Sequence, residues 1–471
     1  MKVSRRSLLK ALAAAPFAGA CAGRSAQPAQ VTLVARVAKQ RLVPAAYPET
    51  EVWGYEGIVP GPLLRLRQGE NLRVVLENHL PSATTVHWHG LRVPNAMDGV
   101  PHVTQPPVAP GGRFVYEFPL RDAGTYWYHP HEQSQEQVAR GLYGVLIVEE
   151  REPPRVDREV TWVLSDWRLA PDASHREDFD SLFDLTHAGR IGNTVTINGR
   201  FTAKDGVLNV RSGERIRLRL VNTAVARIFR LHFERHAPRV IALDGQAVPP
   251  HAAEKGVVLG PGMRADLVLD FPHAPGTRAE VTDDFYPRMA GRLMEIVYAN
   301  GPPLRERLLD APVALSANAL ADPDVARAER HEILFQGGAM GSLRDALFQG
   351  ERVTLARLAR EHHLAWVVNG AAVKGHAHAP LLSLKRGGHY VLDLINETAW
   401  HHPIHLHGHV FRIIARDGAP TPLREWADTV LMAPRERVEI AFVADNPGHW
   451  MLHCHVLAHQ AGGMSAVLRV A

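Results

Sequence analysis

The chain has 471 residues, of which 46% are hydrophobic and 22% charged, a composition typical of soluble globular proteins. It is too long for a single hydrophobic core, so we expect several domains. The formal net charge of +4 is no basis for a nucleic-acid partner, because five basic and no acidic residues lie within residues 1–26. Without them the charge is about −1, which excludes a strongly basic surface.

Residues 1–26 have the pattern of an export signal. A charged start is followed by an apolar stretch at 11–20 and a polar stretch at 23–30. The apolar stretch is too short to span a membrane, which takes about 20 residues. The run SRRSLLK at 4–10 resembles the twin-arginine (Tat) signal, which implies the Tat export machinery as a partner and a periplasmic location. Cys21 leaves a lipoprotein as an open alternative.

The chain contains two cysteines, Cys21 and Cys454. Removal of the signal would leave Cys454 with no intrachain disulfide partner. An exported protein with one internal cysteine suggests a chemical role for that thiol.

Three 17-residue segments align without gaps: 62–78 (PLLRLRQGENLRVVLEN), 206–222 (GVLNVRSGERIRLRLVN) and 380–396 (PLLSLKRGGHYVLDLIN). Each has alternating apolar residues on both sides of a central glycine and ends in an asparagine. These residues are Gly69, Gly213 and Gly387, and Asn78, Asn222 and Asn396. Period-two alternation interrupted by a glycine turn is typical of antiparallel strands, and three copies in register indicate an internal repeat.

Each repeat unit spans roughly 120–160 residues, the size of one β-sandwich. We therefore predict an all-β protein with domains at 30–150, 156–300 and 330–471. The proline-containing stretch 301–329 is predicted to be a linker, and 351–363 a short helix inserted in the third unit.

Histidine pairs occur at equivalent places in the first and third units. His87 and His89 begin nine residues after Asn78, and His405 and His407 begin nine residues after Asn396. The second unit has Leu231 and Phe233 there.

A second alignment, of 109–131 with 433–455, ends in the pairs His129/His131 and His453/His455. Residues i and i+2 of a strand face the same side, so the four pairs supply eight imidazoles. Imidazole suits copper, zinc, iron or nickel, and eight exceed a mononuclear site. We predict a metal cluster where the first and third domains meet. The pair His376/His378 lies outside the repeat and is predicted to be a solvated surface pair.

The same parity directs the thiol of Cys454 away from the imidazoles of His453 and His455. His402 lies an odd number of residues from His405 and so faces away from the cluster as well. His459 and Met464 follow Cys454 at intervals of five residues. One cysteine, two histidines and a distant methionine are the ligands of a blue-copper electron-transfer site. In the first unit, Pro130 and Thr84 stand in place of Cys454 and His402.

The motifs HWHG, HPH, HPIHLH and HCHVLAHQAGGM resemble the four ligand motifs of the multicopper oxidases. The threefold repeat is similar to the three cupredoxin-like Greek-key β-sandwich domains of that family. The resemblance runs from about residue 40 to 471. It implies four copper ions (one type 1, one type 2 and two type 3), and oxidation of a small reducing substrate by O₂. The implied ligands are His402, Cys454, His459 and Met464 for type 1, His87 and His405 for type 2, and His89, His129, His131, His407, His453 and His455 for type 3.

Two positions bear on proton delivery, and a third position, Asp428, has another role. Asp98, eleven residues after His87, resembles the acid that helps to deliver protons to the cluster in this family, although a turn residue before Gly99 is an alternative. Gln460 stands where copper-efflux members have an acid. Asp428, in WADTV, has either a substrate or a turn role.

Other cupredoxin proteins fit the sequence less well. A two-copper nitrite reductase lacks the full type 3 set, a copper-free structural relative would have lost ligands, and a copper carrier needs no cluster joined to a blue site. Copper-efflux oxidases cover the type 1 site with a methionine-rich segment, whereas 337–365 contains only Met340. We therefore expect a laccase-like, monomeric oxidase of phenols and aromatic amines, with Trp400 able to stack on the substrate. Oxidation of Cu(I), Fe(II) or Mn(II) in copper tolerance is the alternative.

Overall fold

The computed structural model describes residues 29–376 and 379–471. The predicted signal at 1–26, with Cys21, and His378 lie outside the described residues. Strands make up 45% of the structure and helices 7%, which confirms the all-β prediction.

The first sandwich consists of two four-stranded sheets. In spatial order they are Thr50–Tyr55, Ala29–Gln40, Asn71–His79 and Arg113–Pro119, and Leu64–Arg67, Gly144–Glu149, Gly124–His129 and His87–His89.

The second sandwich pairs a seven-stranded sheet with a five-stranded one. Their strands are, in spatial order, Arg200–Phe201, Thr194–Ile197, Arg158–Trp167, Arg215–Asn222, Arg264–Asp270, Arg239–Leu243 and Gln246–Ala252, and Val207–Val210, Gly291–Tyr298, Arg278–Asp283, Phe229–Phe233 and Val257–Leu259.

The third sandwich again has a seven-stranded and a five-stranded sheet, with a hairpin of Asp345–Phe348 and Glu351–Thr354 beside them. In spatial order, the strands of the larger sheet are Trp366–Val368, Glu329–Gly337, His389–Asn396, Arg437–Val443, Phe411–Arg416 and Ala419–Pro420. The short strand Trp426–Ala427 also pairs with Phe411–Arg416. The strands of the smaller sheet are Leu382–Leu384, Ser465–Val470, Gly448–Cys454, His402–Leu406 and Thr429–Met432.

Helices are short and lie in the connections. They are Ser134–Ala139, Leu182–Thr186, Leu355–Arg357 continuing as a π-helical turn Leu358–His362, and Leu457–Ala461, with 3₁₀ turns at Asn95–Met97 and Pro287–Met289. None of these described helices has the length and apolar character that a membrane crossing requires.

The helix predicted at 351–363 is only partly correct. Residues 351–354 form the second strand of the hairpin, and the helical part begins after Thr354, whose hydroxyl accepts a hydrogen bond from the N–H of Arg357. A threonine at this position caps a helix, so the helix starts there rather than at 351. Residues 301–328, within the predicted linker, contain neither helix nor strand.

The repeat seen in the sequence has the same structural cause in each sandwich. Asn78, Asn222 and Asn396 are buried, and the side-chain nitrogen of each donates to a carbonyl four or five residues later and to another 30 or 37 residues later. The side-chain oxygen accepts from the N–H two residues later. The asparagine thus satisfies buried backbone groups where the chain leaves the strand, and it fixes the loop that carries the histidines nine residues on.

Charged residues hold the first and second sandwiches together. All residues of Arg215–Asn222 are buried, and Arg217 and Arg219 both pair with Asp266. Arg217 also pairs with Glu150, and Arg219 donates to the hydroxyl of Thr125 at 2.8 Å. Because buried charges are costly unless they are paired, loss of one member of this network would weaken the contact between the two sandwiches.

Candidate metal centre

In the first sandwich, two neighbouring strands bring three histidines to one face. His87–His89 runs antiparallel to Gly124–His129, with His87 opposite His129. Directly opposite residues project to the same side of a sheet, so His87, His89 and His129 lie together. His131 follows through Pro130, and all four imidazoles are buried.

The third sandwich repeats this arrangement. His402–Leu406 runs antiparallel to Gly448–Cys454, with His405 opposite His453. The N–H of His455 donates to the carbonyl of Pro403 at 2.6 Å, which keeps the chain beside that strand after it ends.

The imidazoles from the two sandwiches interleave. The His87 ring stacks on His407, with centroids 3.9 Å apart, and the His89 ring stacks on His405, with centroids 3.7 Å apart. Nitrogens of seven of the eight rings lie within 4.8 Å of one another in three groups of three histidines. These are His87, His405 and His407; His87, His89 and His129; and His131, His407 and His453. The structure therefore brings the predicted cluster residues together between the first and third sandwiches.

The hydrogen bonds of these rings leave nitrogens unused. His87 and His405 each use Nδ1 on a backbone carbonyl, of Asp98 and Asp428 respectively, both at 2.8 Å. Within the eight cluster rings, the buried nitrogens without a hydrogen-bond partner are His87 Nε2, His89 Nδ1, His129 Nε2, His131 Nε2, His405 Nε2 and both nitrogens of His455. The Nε2 atoms of His407 and His453 lie 3.0 Å apart.

Burial lowers the pKa of the cluster imidazoles below the usual range of histidine, and neighbouring imidazoles lower it further. This holds for His89, His129, His131, His405, His407, His453 and His455. Neutral imidazole is the form that binds metal. Buried, neutral and unpartnered ring nitrogens are a donor set that fits copper.

A second group lies around Cys454, the cysteine of the described residues, which is buried and not in a disulfide. Its Sγ lies 3.4 Å from His402 Nδ1 and 3.7 Å from His459 Nδ1, and those two nitrogens are 3.1 Å apart. Burial raises the pKa of the Cys454 thiol, so it is protonated until a metal binds and displaces the proton.

Backbone bonds hold Met464 beside this group. Its N–H donates to the carbonyl of His459 at 2.9 Å, its carbonyl accepts from the N–H of Cys454 at 3.1 Å, and its side chain is buried.

Asp98 contacts both halves of the imidazole cluster. Its Oδ2 accepts from His407 Nδ1 at 2.9 Å, and its Oδ1 lies 3.2 Å from His87 Nδ1. It also ends the 3₁₀ turn Asn95–Met97, and Gly99 follows with a φ of 80°. The turn position and the contact with the cluster therefore coexist in one residue.

Models of the multicopper oxidase family match residues 36–153, 158–285 and 350–471. Laccase-1 of Fomitopsis schrenkii is 29% identical over 471 residues, which cover 88% of this chain and 81% of that protein. The copper resistance protein A homolog of Pseudomonas syringae pv. tomato is 26% identical over 528 residues, 88% of each chain.

A crystal structure of a multi-copper oxidase from Pseudomonas thermotolerans is 35% identical, superposes with a TM-score of 0.81, and covers 95% of this chain and 100% of that one. The chain belongs to the multicopper oxidase family. It is accordingly a copper-dependent oxidoreductase, as the sequence predicted, with O₂ as electron acceptor.

Two residues of this multicopper oxidase escaped the sequence reasoning because they belong to the sandwich without histidine pairs. Arg264 and Asp244 of the second sandwich are buried against Asp428 of the third. Asp428 in turn accepts from His89 Nε2 at 3.0 Å. Asp428 is therefore buried beside the imidazole cluster. Arg113 and Arg437, which occupy the equivalent positions of the repeat, are exposed. The position in the repeat therefore does not predict that Arg264 is buried.

Gln460 lies between Ser134 and His131. Its side-chain oxygen accepts from the Ser134 hydroxyl at 3.0 Å, and its side-chain nitrogen lies 3.3 Å from His131 Nδ1. Gln460 thus contacts one ring of the imidazole cluster directly.

The prediction of a solvated surface pair is wrong for His376. This ring is half-buried, with its centroid 5.3 Å from that of His131 and its Nε2 3.3 Å from the His131 carbonyl. The segment that carries it passes beside the turn at Pro130, which the sequence pattern does not reveal.

Residues of the second and third sandwiches enclose the rim of the Cys454 group in this multicopper oxidase. Trp400 is half-buried, its Nε1 donates to the carbonyl of Ala339 at 2.9 Å, and its ring meets the edge of His187 at 5.2 Å. His187 belongs to the second sandwich, and the sequence pattern does not predict that it lies beside this group.

Proposed function

We propose that the chain has three domains, at 30–150, 156–300 and 330–471, and that it binds four copper ions with ligands from the first and third domains, the second having none. The proposed type 1 ligands are His402, Cys454, His459 and Met464; type 2, His87 and His405; and type 3, His89, His129, His131, His407, His453 and His455. The observation that carries the proposal is the set of unpartnered, buried imidazole nitrogens shared between the first and third domains. Copper bound there supplies one-electron redox chemistry and the reduction of O₂ to water.

The chain joins the two groups by its own covalent bonds. Cys454 lies between His453 and His455, so a single peptide unit on either side leads from the thiolate group to the imidazole cluster. This is the shortest path for electrons between the two groups.

Asp98 is proposed to hold and deliver protons. Reduction of one O₂ to two waters takes four electrons and four protons, and the carboxylate of Asp98 touches imidazoles from both domains. The buried surroundings exclude bulk water, so a carboxylate at this place is suited to pass protons inward.

Phenols and aromatic amines are the proposed reducing substrates. Support comes from the laccase among the relatives and from the aromatic side chains around the Cys454 group. The one methionine of 337–365, Met340, is 69% exposed, and a methionine-rich cover is lacking there. The copper resistance relative supports a second candidate, oxidation of Cu(I), for which the thioether of Met340 is a suitable ligand.

The test combines copper analysis with a comparison of donors. We expect about four coppers per chain and, without added Cu(II), a higher kcat/KM for 2,6-dimethoxyphenol than for Cu(I), Fe(II) or Mn(II). A Cu(I) value far above that of the phenol, or phenol oxidation only with excess Cu(II), would favour the metallo-oxidase.

Export is proposed to proceed through the Tat machinery to the periplasm, and the exported protein is proposed to be a monomer. Lipidation at Cys21 is the alternative to a cleaved soluble form. Mass spectrometry of the mature protein distinguishes a cleaved soluble form from a lipidated one, and light scattering gives its mass in solution.

A further inference from the structure

The imidazoles of the Cys454 group offer no free outer nitrogen within the described residues. His459 Nε2 donates to the backbone carbonyl of His187 at 2.7 Å, and His402 Nε2 donates to the hydroxyl of Thr398 at 2.7 Å. Both rings are fully buried, and Trp366 lies against the His459 ring with centroids 4.2 Å apart. A reducing substrate therefore contacts the residues that cover these imidazoles, not the imidazoles themselves.

The covering residues belong to the segment around the helix Leu182–Thr186 of the second sandwich. Arg168 holds Asp184 of this helix with two hydrogen bonds, at 2.6 and 2.9 Å. The indole nitrogen of Trp366 donates to the carbonyl of Leu185 at 2.6 Å. Anchored to both the second and the third sandwich, the helix is a fixed part of the rim.

Phe183 and His187 form a stack on the outer side of this cover. Their rings lie nearly parallel, 17° apart, with centroids separated by 4.1 Å. His187 Nδ1 lies 3.0 Å from the carbonyl of Phe183, which keeps the imidazole below the phenyl ring. Phe183 is 68% exposed; among the Phe, Tyr and Trp side chains that the structure describes, only Tyr47, at 49%, is also exposed.

A phenyl ring left in water gives up the free energy of its burial, so the folded state gains little from Phe183 at this place. The ring does, however, continue a path into the metal-binding group: phenyl ring, His187 ring, His187 carbonyl, His459. The steps on the path are a ring contact, a short run of covalent bonds within His187 and a hydrogen bond.

We propose that the Phe183–His187 stack is the docking surface for the aromatic reductant, which stacks its ring on Phe183 instead of contacting His459. This rests on the proposed function and specifies its substrate as a flat, electron-rich phenol. Each phenol leaves as a phenoxyl radical, giving one electron to the protein and its hydroxyl proton to solvent. Four phenols thereby supply the four electrons that, with four protons, convert one O₂ into two waters.

The experiment compares Phe183→Ala with Phe183→Tyr, which restores a ring, and with the control Leu182→Ala. Leu182 is the neighbouring exposed residue of the same helix, at 41%, so its variant removes apolar area without removing a ring. Binding of 2,6-dimethoxyphenol to the copper-loaded, fully reduced enzyme under argon is measured by saturation-transfer NMR, because the reduced enzyme cannot oxidise the ligand. The ratio of kcat/KM for this phenol to that for ferrocyanide, which has no ring to stack, is measured in air.

We expect Phe183→Ala to weaken phenol binding and to lower the kcat/KM ratio roughly three- to tenfold, the size of an aromatic pair contact. Phe183→Tyr and Leu182→Ala should both stay within about twofold of the parent. Equal loss in Phe183→Ala and Leu182→Ala, or no loss in Phe183→Ala, overturns the proposal.

The two proposals fail in different ways. If the parent enzyme binds the phenol at Phe183 but does not oxidise it, the proposed substrate class is wrong and the docking surface stands. If phenol oxidation is fast and insensitive to Phe183, the substrate class stands and the docking surface is wrong.

Discussion

Arg264 donates from both terminal nitrogens to the two carboxylate oxygens of Asp428, at 2.8 and 2.6 Å. The pair joins the second sandwich to the third directly behind His89, and both side chains are fully buried. Burial opposes ionisation of Asp428, but the guanidinium of Arg264 and the contact with His405 outweigh it and hold the pKa of that carboxyl well below its usual range. The sandwich that has no histidine pairs thus sets the charge beside the cluster.

Arg264→Ala should destabilise the protein by about 3–5 kcal/mol, because it leaves the carboxylate of Asp428 buried without its cation. The midpoint of unfolding in urea measures the effect. Arg113→Ala is the matched control, since Arg113 occupies the equivalent position of the repeat but is exposed. We expect a change within about 0.5 kcal/mol for the control; similar losses in the two variants would contradict a special role for Arg264.

Asp244 should make stability depend on pH. Burial and the neighbouring carboxylate of Asp428 raise the pKa of Asp244 from 3.8 to about 7. Between those values the folded chain retains a proton that the unfolded chain releases, so this contribution is complete below about pH 4 and is lost as the pH rises through 7. Asp244→Asn cannot titrate, and we expect its melting temperature to fall less than that of the parent between pH 4 and pH 7. If the melting temperatures of the parent and of Asp244→Asn change by the same amount between pH 4 and pH 7, Asp244 does not retain the proton.

Cys454→Ser should abolish the blue absorption of the copper-loaded protein and stop substrate oxidation, because the variant loses the proposed thiolate ligand. The imidazoles of His453 and His455 project from the opposite face of the strand, so most of the remaining copper should stay bound. Visible absorption and metal analysis of the same sample give both quantities. A variant that is still blue would disprove the type 1 assignment.

Asp98→Asn should retain the copper content and the rate at which substrate reduces the enzyme, while slowing reoxidation of the reduced enzyme by O₂. The amide oxygen can still accept from His407 Nδ1, but the side chain can no longer take up or release a proton. Stopped-flow mixing of reduced enzyme with O₂ across a pH range measures this step. Reoxidation as fast as in the parent at every pH would show that Asp98 acts only as a turn residue.

The sequence was sufficient to predict the sandwiches and the imidazole cluster because both follow from period-two alternation and from the internal repeat. A residue such as His87 is recognisable by its distance from Asn78, and the structure explains that distance through the hydrogen bonds of the asparagine.

Contacts between sandwiches were not predictable in this way. Arg113, Arg264 and Arg437 stand at one position of the repeat, yet only Arg264 is buried, because only its strand end faces another sandwich. His187 was missed for a similar reason: its backbone carbonyl, rather than its side-chain identity, reaches His459. Every residue has a backbone carbonyl, so a sequence pattern does not indicate which carbonyl makes a specific contact.

The interleaved rings of His87 with His407 and of His89 with His405 also have a consequence for the order of assembly. The two sets of imidazoles belong to different sandwiches, and the second sandwich lies between them in the chain. Because domains generally fold as units, the complete set exists only after the first and third sandwiches have both folded and docked. The cluster is therefore a structural marker of correct docking between these two sandwiches.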